Sequence, residues 1–512
     1  MMIEEISQMN NMSCKLQSID NVSIMDYSAF MSELTSLIRD PANHCLFYMA
    51  YPNSGGLRFL ACIARDEHHD FVLLSHQLDN IEASLESLTP EVPQLHLFER
   101  EIAENFGVRF EGHPWMKGVR FTTYDLREYA KSGKLERKDY SFFEMDGEEH
   151  HEVGVGPIHA GIIEPGHFRF ICNGERVMHL EIMLGYQHRG VESLLTTART
   201  GLVRSLLAES VAGDTAVGHS VAHATLMESL AGYSSPPRLD LERAIALEME
   251  RIAVHIGDTA ALCTDVAYQS GQVVNEALRT TVINTTQFWC GNRFGKGLVR
   301  PAGTHYPATA EVIAAIRNVL NDSIKRYVDM ADVIYTSPSV LSRFDGIGMV
   351  TTNQAMNIGA VGMAARSSGL KRDIRQSHPS LVYAALPHNP VVIDSGDVLA
   401  RGMLRNLEVR QSAAMIHKWL DQLEQLDPVG CRPDYSLKMK PDTIAFSLAE
   451  GWRGEICHVA ITDSQGHMIQ YKVKDPSFHN WMALALAVRN QEISDFPICN
   501  KSFNLSYCGH DL

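Results

Sequence analysis

The sequence predicts an α+β protein: a small N-terminal α/β module joined to a large, mainly helical domain with a mixed β portion. Three observations carry this. Residues 57–64 and 71–75 are apolar runs on either side of the polar turn Asp66-Glu67-His68-His69-Asp70, the pattern of a β-hairpin. Leu241, Ile245, Met249, Ile252 and Ile256 fall at offsets 0, 4, 8, 11 and 15, an apolar stripe along one helix. Residues 457–462 and 468–474 return to strand around a turn at 463–466. With 512 residues, 45% of them hydrophobic and 21% charged, the chain has about three domains' worth of length and ample material for a core.

In chain order, residues 1–27 are polar and Met-rich and read as a flexible N-terminus. Residues 28–115 form the α/β module. It closes on the amphipathic stretch from Glu99 to Phe106, with Gly107 where a left-handed helix stop belongs. Residues 116–152 are charged and turn-rich without sustained periodicity, which predicts an exposed linker. Residues 153–512 are the large domain. A linker of this kind implies that the large domain folds without residues 1–150 attached.

The net charge of −16 excludes a protein built to bind nucleic acid phosphates or an anionic membrane surface. No run of about 18 apolar residues is present, so no direct membrane span is expected. The first residues lack a basic segment followed by an apolar one, unlike a secretory signal. The ten cysteines are scattered, as in a reduced, cytoplasmic protein, and no C-x-x-C occurs.

Several constellations invite a chemical reading beside a structural one. Gly156-Pro157-Ile158-His159 and Gly166-His167-Phe168-Arg169-Phe170 precede Tyr186-Gln187-His188-Arg189-Gly190-Val191-Glu192. Taken alone this is a charged turn at a helix start. Glu248, Arg251 and His255 share one helix face, suited to solvent or to a buried interface. Arg366, Arg372, Asp373 and Arg375 crowd around glycine turns, where guanidinium–carboxylate pairs bridge helices. His219 and His223 stand at i and i+4 on one helix face; they read as core histidines, as a proton relay or carrier contact, or as half of a metal site.

In order along residues 28–512, these motifs resemble the fused large subunits of the group 4 nickel–iron hydrogenase and respiratory complex I family, in particular its energy-converting hydrogenase-related members. The helix at 99–107 with Phe110-Glu111-Gly112-His113-Pro114 resembles the small peripheral-arm subunit of complex I. The segments around Glu192, Arg251, Arg372 and Asp475-Pro476-Ser477-Phe478-His479 resemble the hydrogenase large subunit and its complex I relative, which holds the quinone site. The resemblance implies a hydrogenase large-subunit type of fold. It also implies that Glu192 lies near the family's metal position and relays protons.

The family's nickel–iron centre takes four thiolates from two C-x-x-C pairs, soft ligands in chelating spacing. Their positions correspond here to Ala216, His219, Ser506 and Gly509, with Cys508 one residue out of place. None of the four is cysteine, so no active nickel–iron hydrogenase and no metal in this chain are expected. The tyrosine of the complex I quinone pocket corresponds to Val217.

The resemblance therefore implies a peripheral subunit on the cytoplasmic side of the inner membrane, within a complex I-like oxidoreductase that couples NADH- or quinone-type electron transfer to ion translocation. It would dock on a small iron–sulfur subunit, which holds the cluster, and on membrane ion-translocating subunits. Glu192, His219, His223, Arg372 and Asp373 are expected to line one pocket or proton relay, with a quinone as a candidate occupant. A non-catalytic scaffold in the same complex is the alternative.

Overall fold

A computed structural model describes residues 11–121, 137, 140–161, 163–386, 388–427 and 430–512. In the N-terminal module, strands Asn43–Asn53, Gly56–Arg65 and Asp70–Leu78 form an antiparallel meander. The short strand Ile24–Met25 joins its edge in parallel. Strands 43–53 and 56–65 are buried on both faces, which is why their apolar residues run almost without interruption. One face packs helices Tyr27–Ile38 and His96–Phe106 through Phe30, Leu34, Phe98 and Ile102. The second helix ends at Gly107, whose φ of 73° is the left-handed stop expected from sequence.

The other face of this sheet lies on the large domain. There the four-stranded antiparallel sheet has the order Cys14–Ser18, Thr443–Glu450, Glu455–Thr462, Met468–Lys474. Phe47 and Phe71 meet Phe446 at ring distances of 5.5 and 5.0 Å, within a shared cluster that includes Leu46, Leu60, Ile444 and Val459.

Two sequence expectations are corrected here. Residues 14–25 are not a loose lead: Cys14–Ser18 supplies the edge strand of the C-terminal sheet, and Ile24–Met25 that of the first sheet. The alternation is too short to register as strand without its partners. Nor is all of 116–152 a linker. Val119 and Arg120 are buried, and His150–Val155 is the edge of a three-stranded sheet with His167–Asn173 and Arg176–Met183. Most of the remainder, 122–136 and 138–139, lies outside the described residues.

The body of the large domain is helical. Pro237–Asp265, 29 residues long, packs against Gln269–Cys290 and Val398–Leu423. The predicted stripe from Leu241 to Ile256 is its buried seam. Helix Ala216–Ala231 is buried almost all round, and its alanine, glycine and serine residues let it lie against strands Thr443–Glu450 and Glu455–Thr462. The C-terminal residues fold inward as helix Tyr507–Asp511. The Asp511 carboxylate accepts from the Gly185 and Gln187 amides at 2.8 and 2.9 Å, and the Leu512 carbonyl from Arg189 and Gly190 at 2.8 and 3.1 Å. The end of the chain thus clamps the turn that presents Glu192.

Candidate functional site: a buried hydrogen-bonded run of histidines

His219 and His223 sit one turn apart on the face of helix Ala216–Ala231 that meets the sheet. His458 comes from strand Glu455–Thr462; Tyr471 from Met468–Lys474, with Asp475 just beyond its end. Tyr471, Val473 and Asp475 are alternate residues and so share one side, which brings both polar groups to the histidines. His219 Nε2 lies 3.1 Å from Asp475 Oδ2, and its Nδ1 lies 3.0 Å from His458 Nε2. His458 Nδ1 is 2.7 Å from the Tyr471 hydroxyl, which is 2.9 Å from His223 Nδ1. All five side chains are buried.

With one proton on each imidazole, the carboxylate at one end fixes the direction of every bond. Asp475 only accepts, so His219 Nε2 donates and its Nδ1 accepts from His458 Nε2–H. His458 Nδ1 then accepts from the Tyr471 hydroxyl, whose oxygen accepts from His223 Nδ1–H. His223 Nε2 is left as a bare acceptor, and it is a buried atom without a hydrogen-bond partner. Burial, aided by the Arg204 and Arg300 charges, brings the His223 pKa down to about 3. Burial likewise holds His458 well below the usual histidine range. Burial alone would raise Asp475. The hydrogen bond from His219, with the Arg453 charge nearby, outweighs it and lowers that carboxyl.

Three of the positions that the resemblance assigns to thiolates, His219, Ser506 and Gly509, meet around Asp475 and Ser477. Ser477 N donates to Asp475 Oδ1 at 2.8 Å, Ser506 N to Ser477 Oγ at 2.9 Å, and Gly509 N to Ser506 Oγ at 2.9 Å. A Cβ on Gly509 would fall 2.6 Å from the Asp475 carboxylate, so glycine is what admits the acid. Ala216, at the start of the histidine helix, offers only a methyl group. This donor set does not fit a four-thiolate nickel–iron centre. Arg453 closes the knot: it pairs with Asp214 at 2.6 and 2.7 Å and donates to the Asn504 carbonyl at 2.6 Å.

The other predicted residues stand elsewhere. Glu192 starts helix Val191–Thr197 and accepts from Lys472 Nζ at 3.0 Å and from Val473 N at 2.9 Å. Lys472 also reaches Glu101 of the N-terminal module at 2.6 Å, and these groups line a cavity of about 120 Å³. Glu192 therefore stands at the free edge of strand Met468–Lys474, where its helix packs on Tyr471 and Val473, and Tyr471 lines the same cavity. Arg372 donates to the carbonyls of Ala360 and Asn43, tying the two modules together. Asp373 belongs to a third group: it binds Arg375 at 2.7 Å and faces Arg366 at 3.5 Å. Of the residues expected in one pocket, Arg372 at the module seam and Asp373 in the helical core thus stand apart from the histidines, while Glu192 is joined to them only through the cavity that Tyr471 also lines.

Sequence reading did not single out His458 and Tyr471, and it quoted Asp475 only as part of a turn. The usable signal was the strand assignment itself. A histidine in one strand facing alternate Tyr and Asp residues in the next points at the same helix face.

Comparison with known proteins agrees with the two-module architecture. Residues 24–142 match the family described as the 30 Kd subunit of respiratory-chain NADH dehydrogenase, and residues 265–442 the 49 Kd subunit. Formate hydrogenlyase subunit 5 of Escherichia coli (strain K12) is 27% identical, over 84% of this chain and 77% of its own length. The carbon monoxide-induced hydrogenase of Rhodospirillum rubrum is 28% identical, over 69% of this chain and 96% of its own. An NADH-quinone oxidoreductase subunit of Dehalococcoides mccartyi (strain CBDB1) is 27% identical, over 67% and 93%. In fold, the chain is similar to one in the structure of the membrane-bound sulfane sulfur reductase, an archaeal respiratory membrane complex. The TM-score is 0.65 at 21% identity, covering 72% of this chain and all of that one.

Proposed function

We propose, from the premise that this chain is a fused two-module large subunit of the group 4 nickel–iron hydrogenase and complex I family without nickel-ligand cysteines, that it works as the peripheral-arm subunit of a membrane-bound, ion-translocating oxidoreductase complex and moves protons where its relatives hold metal. The observation that carries the relay is the oriented run Asp475–His219–His458–Tyr471–His223. A proton arriving at His223 Nε2 shifts one proton across each bond, and Asp475 receives the last. No atom moves far, and each group ends neutral with its bonds reversed. Returning the wire to its first orientation requires the imidazoles and the hydroxyl to turn, so each transfer must be followed by a conformational step.

This reading places the iron–sulfur cluster in a small partner subunit, leaves NADH- or quinone-type electron transfer to the complex, and puts the chain on the cytoplasmic face without a span of its own. Among the described residues, no helix is long and apolar enough to cross a membrane.

The complex should be isolated from native membranes by a tag on this chain. We expect a small iron–sulfur subunit and membrane subunits to co-purify, and nickel far below one equivalent. Nickel near one equivalent, or a chain that purifies alone, would overturn the reading. His458→Phe keeps a ring but breaks the wire in the middle. It should lower electron-transfer-linked ion movement about 100-fold with subunit ratios unchanged. Unaltered ion movement would assign the five residues to structure and favour the scaffold role.

A further inference from the structure

We propose that His44 is a proton-operated latch between the two modules: its charged ring, held between an acid of each module, fastens the seam, and loss of that proton weakens it. Strand pairing sets the geometry. His44 pairs with Ala64 across the first sheet, and Asp66, two residues past Ala64, falls beside it. In the C-terminal sheet Cys457 pairs with Lys474, and Glu455, two residues before Cys457, shares their face. That face meets the first module, since Cys457 lies in one apolar cluster with Leu46 and Cys62.

His44 Nε2 lies 2.7 Å from Glu455 Oε2, and its Nδ1 lies 3.5 Å from Asp66 Oδ2. The other Glu455 oxygen takes Lys474 Nζ. The His44 side chain is 2% exposed and that of Asp66 12%, so the trio opens to water on the Asp66 side. A ring with one proton serves one of these acids and turns a lone pair on the other. A ring with two protons presents an N–H to each.

The other groups around the ring are committed. Arg372 donates to the Ala360 and Asn43 carbonyls at 2.8 and 3.3 Å, and its charge acts on Asp66 and Glu455 from there. His378 turns Nδ1 toward Asp66 Oδ1 at 3.6 Å, but that nitrogen accepts from Ser377 Oγ at 3.0 Å while Nε2 donates to the Asp70 carbonyl at 3.1 Å. Burial holds this ring below the ordinary range, and His479 on helix Ser477–Ala487 well below it, so both are neutral. Burial pushes the Cys45 thiol, next in the strand, up to about 12. The fixed charges of Lys474 and Arg372 thus stand against those of Glu455 and Asp66, and the proton free to come and go is that of His44.

Burial alone would lower His44 as well. The Glu455 and Asp66 carboxylates outweigh it and raise the ring above the ordinary 6.5. The folded chain therefore holds this proton more firmly than the unfolded chain does. Its contribution is full below pH 6.5 and is lost as pH rises through the raised value, so the join is tightest in acid and weakens toward alkaline pH.

The test follows isotope-labelled histidine Cε1 by NMR in the full chain, the His44 resonance being the one lost in His44→Gln. We expect that resonance at the imidazolium position at pH 7, with its titration above it. Asp66→Asn keeps the shape and removes one acid, and should bring the titration down by about one pH unit. Thermal unfolding is the second readout. The midpoint of wild type minus that of His44→Gln should fall by about 2 °C between pH 6.5 and 9, the other titrating groups being common to both chains. A His44 ring already neutral at pH 6.5 overturns the proposal, as does a midpoint difference that stays constant over that range or an Asp66→Asn titration that does not move. If His44→Gln does not fold, Asp66→Asn decides by itself: a histidine signal that titrates above pH 7 in wild type must move down in it, and the absence of any such signal overturns the proposal.

Discussion

Glu408→Ala is expected to lower stability by about 3–5 kcal/mol, enough to leave little soluble chain. Glu408 accepts from Arg366 at 2.7 Å, Arg375 at 2.9 Å and His255 at 2.8 Å, with Arg251 at 3.8 Å, all without solvent exposure. Glu248, one of the acids sharing these arginines, binds Arg251 at 2.9 Å and takes hydroxyl donors from Ser412 and Tyr383 at 2.6 Å. Four carboxylates, Glu248, Asp373, Glu408 and Glu450, face the guanidiniums Arg251, Arg366 and Arg375. Removing Glu408 takes away the acceptor that Arg366, Arg375 and His255 share and leaves their buried N–H groups without it, which is why the penalty is large. Urea unfolding of Glu408→Ala beside wild type measures it; a midpoint loss equivalent to less than about 1 kcal/mol would show that the remaining acids take over the donors of Glu408.

The same cluster sets a pH dependence. Burial would raise Glu248, but Arg251 and Arg375, with the Ser412 and Tyr383 hydroxyls, bring it down to about 2 from an ordinary 4.5. Its contribution is present above pH 4.5 and is lost as pH falls towards 2. Glu450 has the opposite sign. Burial and the Asp373 charge, resisted by Arg366, Arg375 and Arg251, push it up to about 7. The folded chain then holds a proton that the unfolded chain releases, so this group lowers stability as pH rises from 4.5 to 7. Glu450→Gln, which cannot ionise, should flatten that limb. An unchanged slope between pH 5 and 7 would mean that Glu450 is ionised throughout in the native state.

The sequence made the helical seam and the hairpins legible because each is periodic within itself. The 241–256 stripe, the 457–462 and 468–474 strands and the Gly107 stop all lie where their local patterns put them. Strand Cys14–Ser18 was not legible, since its reason for being a strand is a partner more than 400 positions away. The relay was half legible. The histidine pair was visible at i and i+4, but its continuation depends on cross-strand neighbours. The ionic cluster was legible as composition, arginines and acids at helical spacing, and not as a map, because which acid meets which arginine is decided by the crossing of helices. Arg372 shows the limit best: adjacent to Asp373 in sequence, it faces the module seam while Asp373 faces the helical core.

The large domain expressed from residue 116 onward is expected to aggregate, and to become soluble when residues 1–115 are co-expressed with it. This replaces the independence that the charged stretch at 116–152 suggests. Without the first module, the C-terminal sheet loses its edge strand, and Phe446, Ile444, Val459 and Cys457 lose the cover of Leu46, Phe47, Leu60 and Cys62. An exposed apolar sheet face beside an open strand edge is a template for aggregation. The polar contacts across the seam compound the loss. Lys472 gives up Glu101; Glu455 gives up His44, which holds it at 2.7 Å; Arg372 gives up the Asn43 carbonyl. Burial would raise Glu455, yet Lys474 and His44 hold it well below the usual range, so it remains a charge that needs both neighbours. Co-expression discriminates between lost cover and a large domain that cannot fold for other reasons. If cover is what matters, the two pieces should co-purify at one to one. A soluble, monomeric fragment from residue 116 with native-like thermal unfolding would show instead that the seam is a docking surface between independently stable domains.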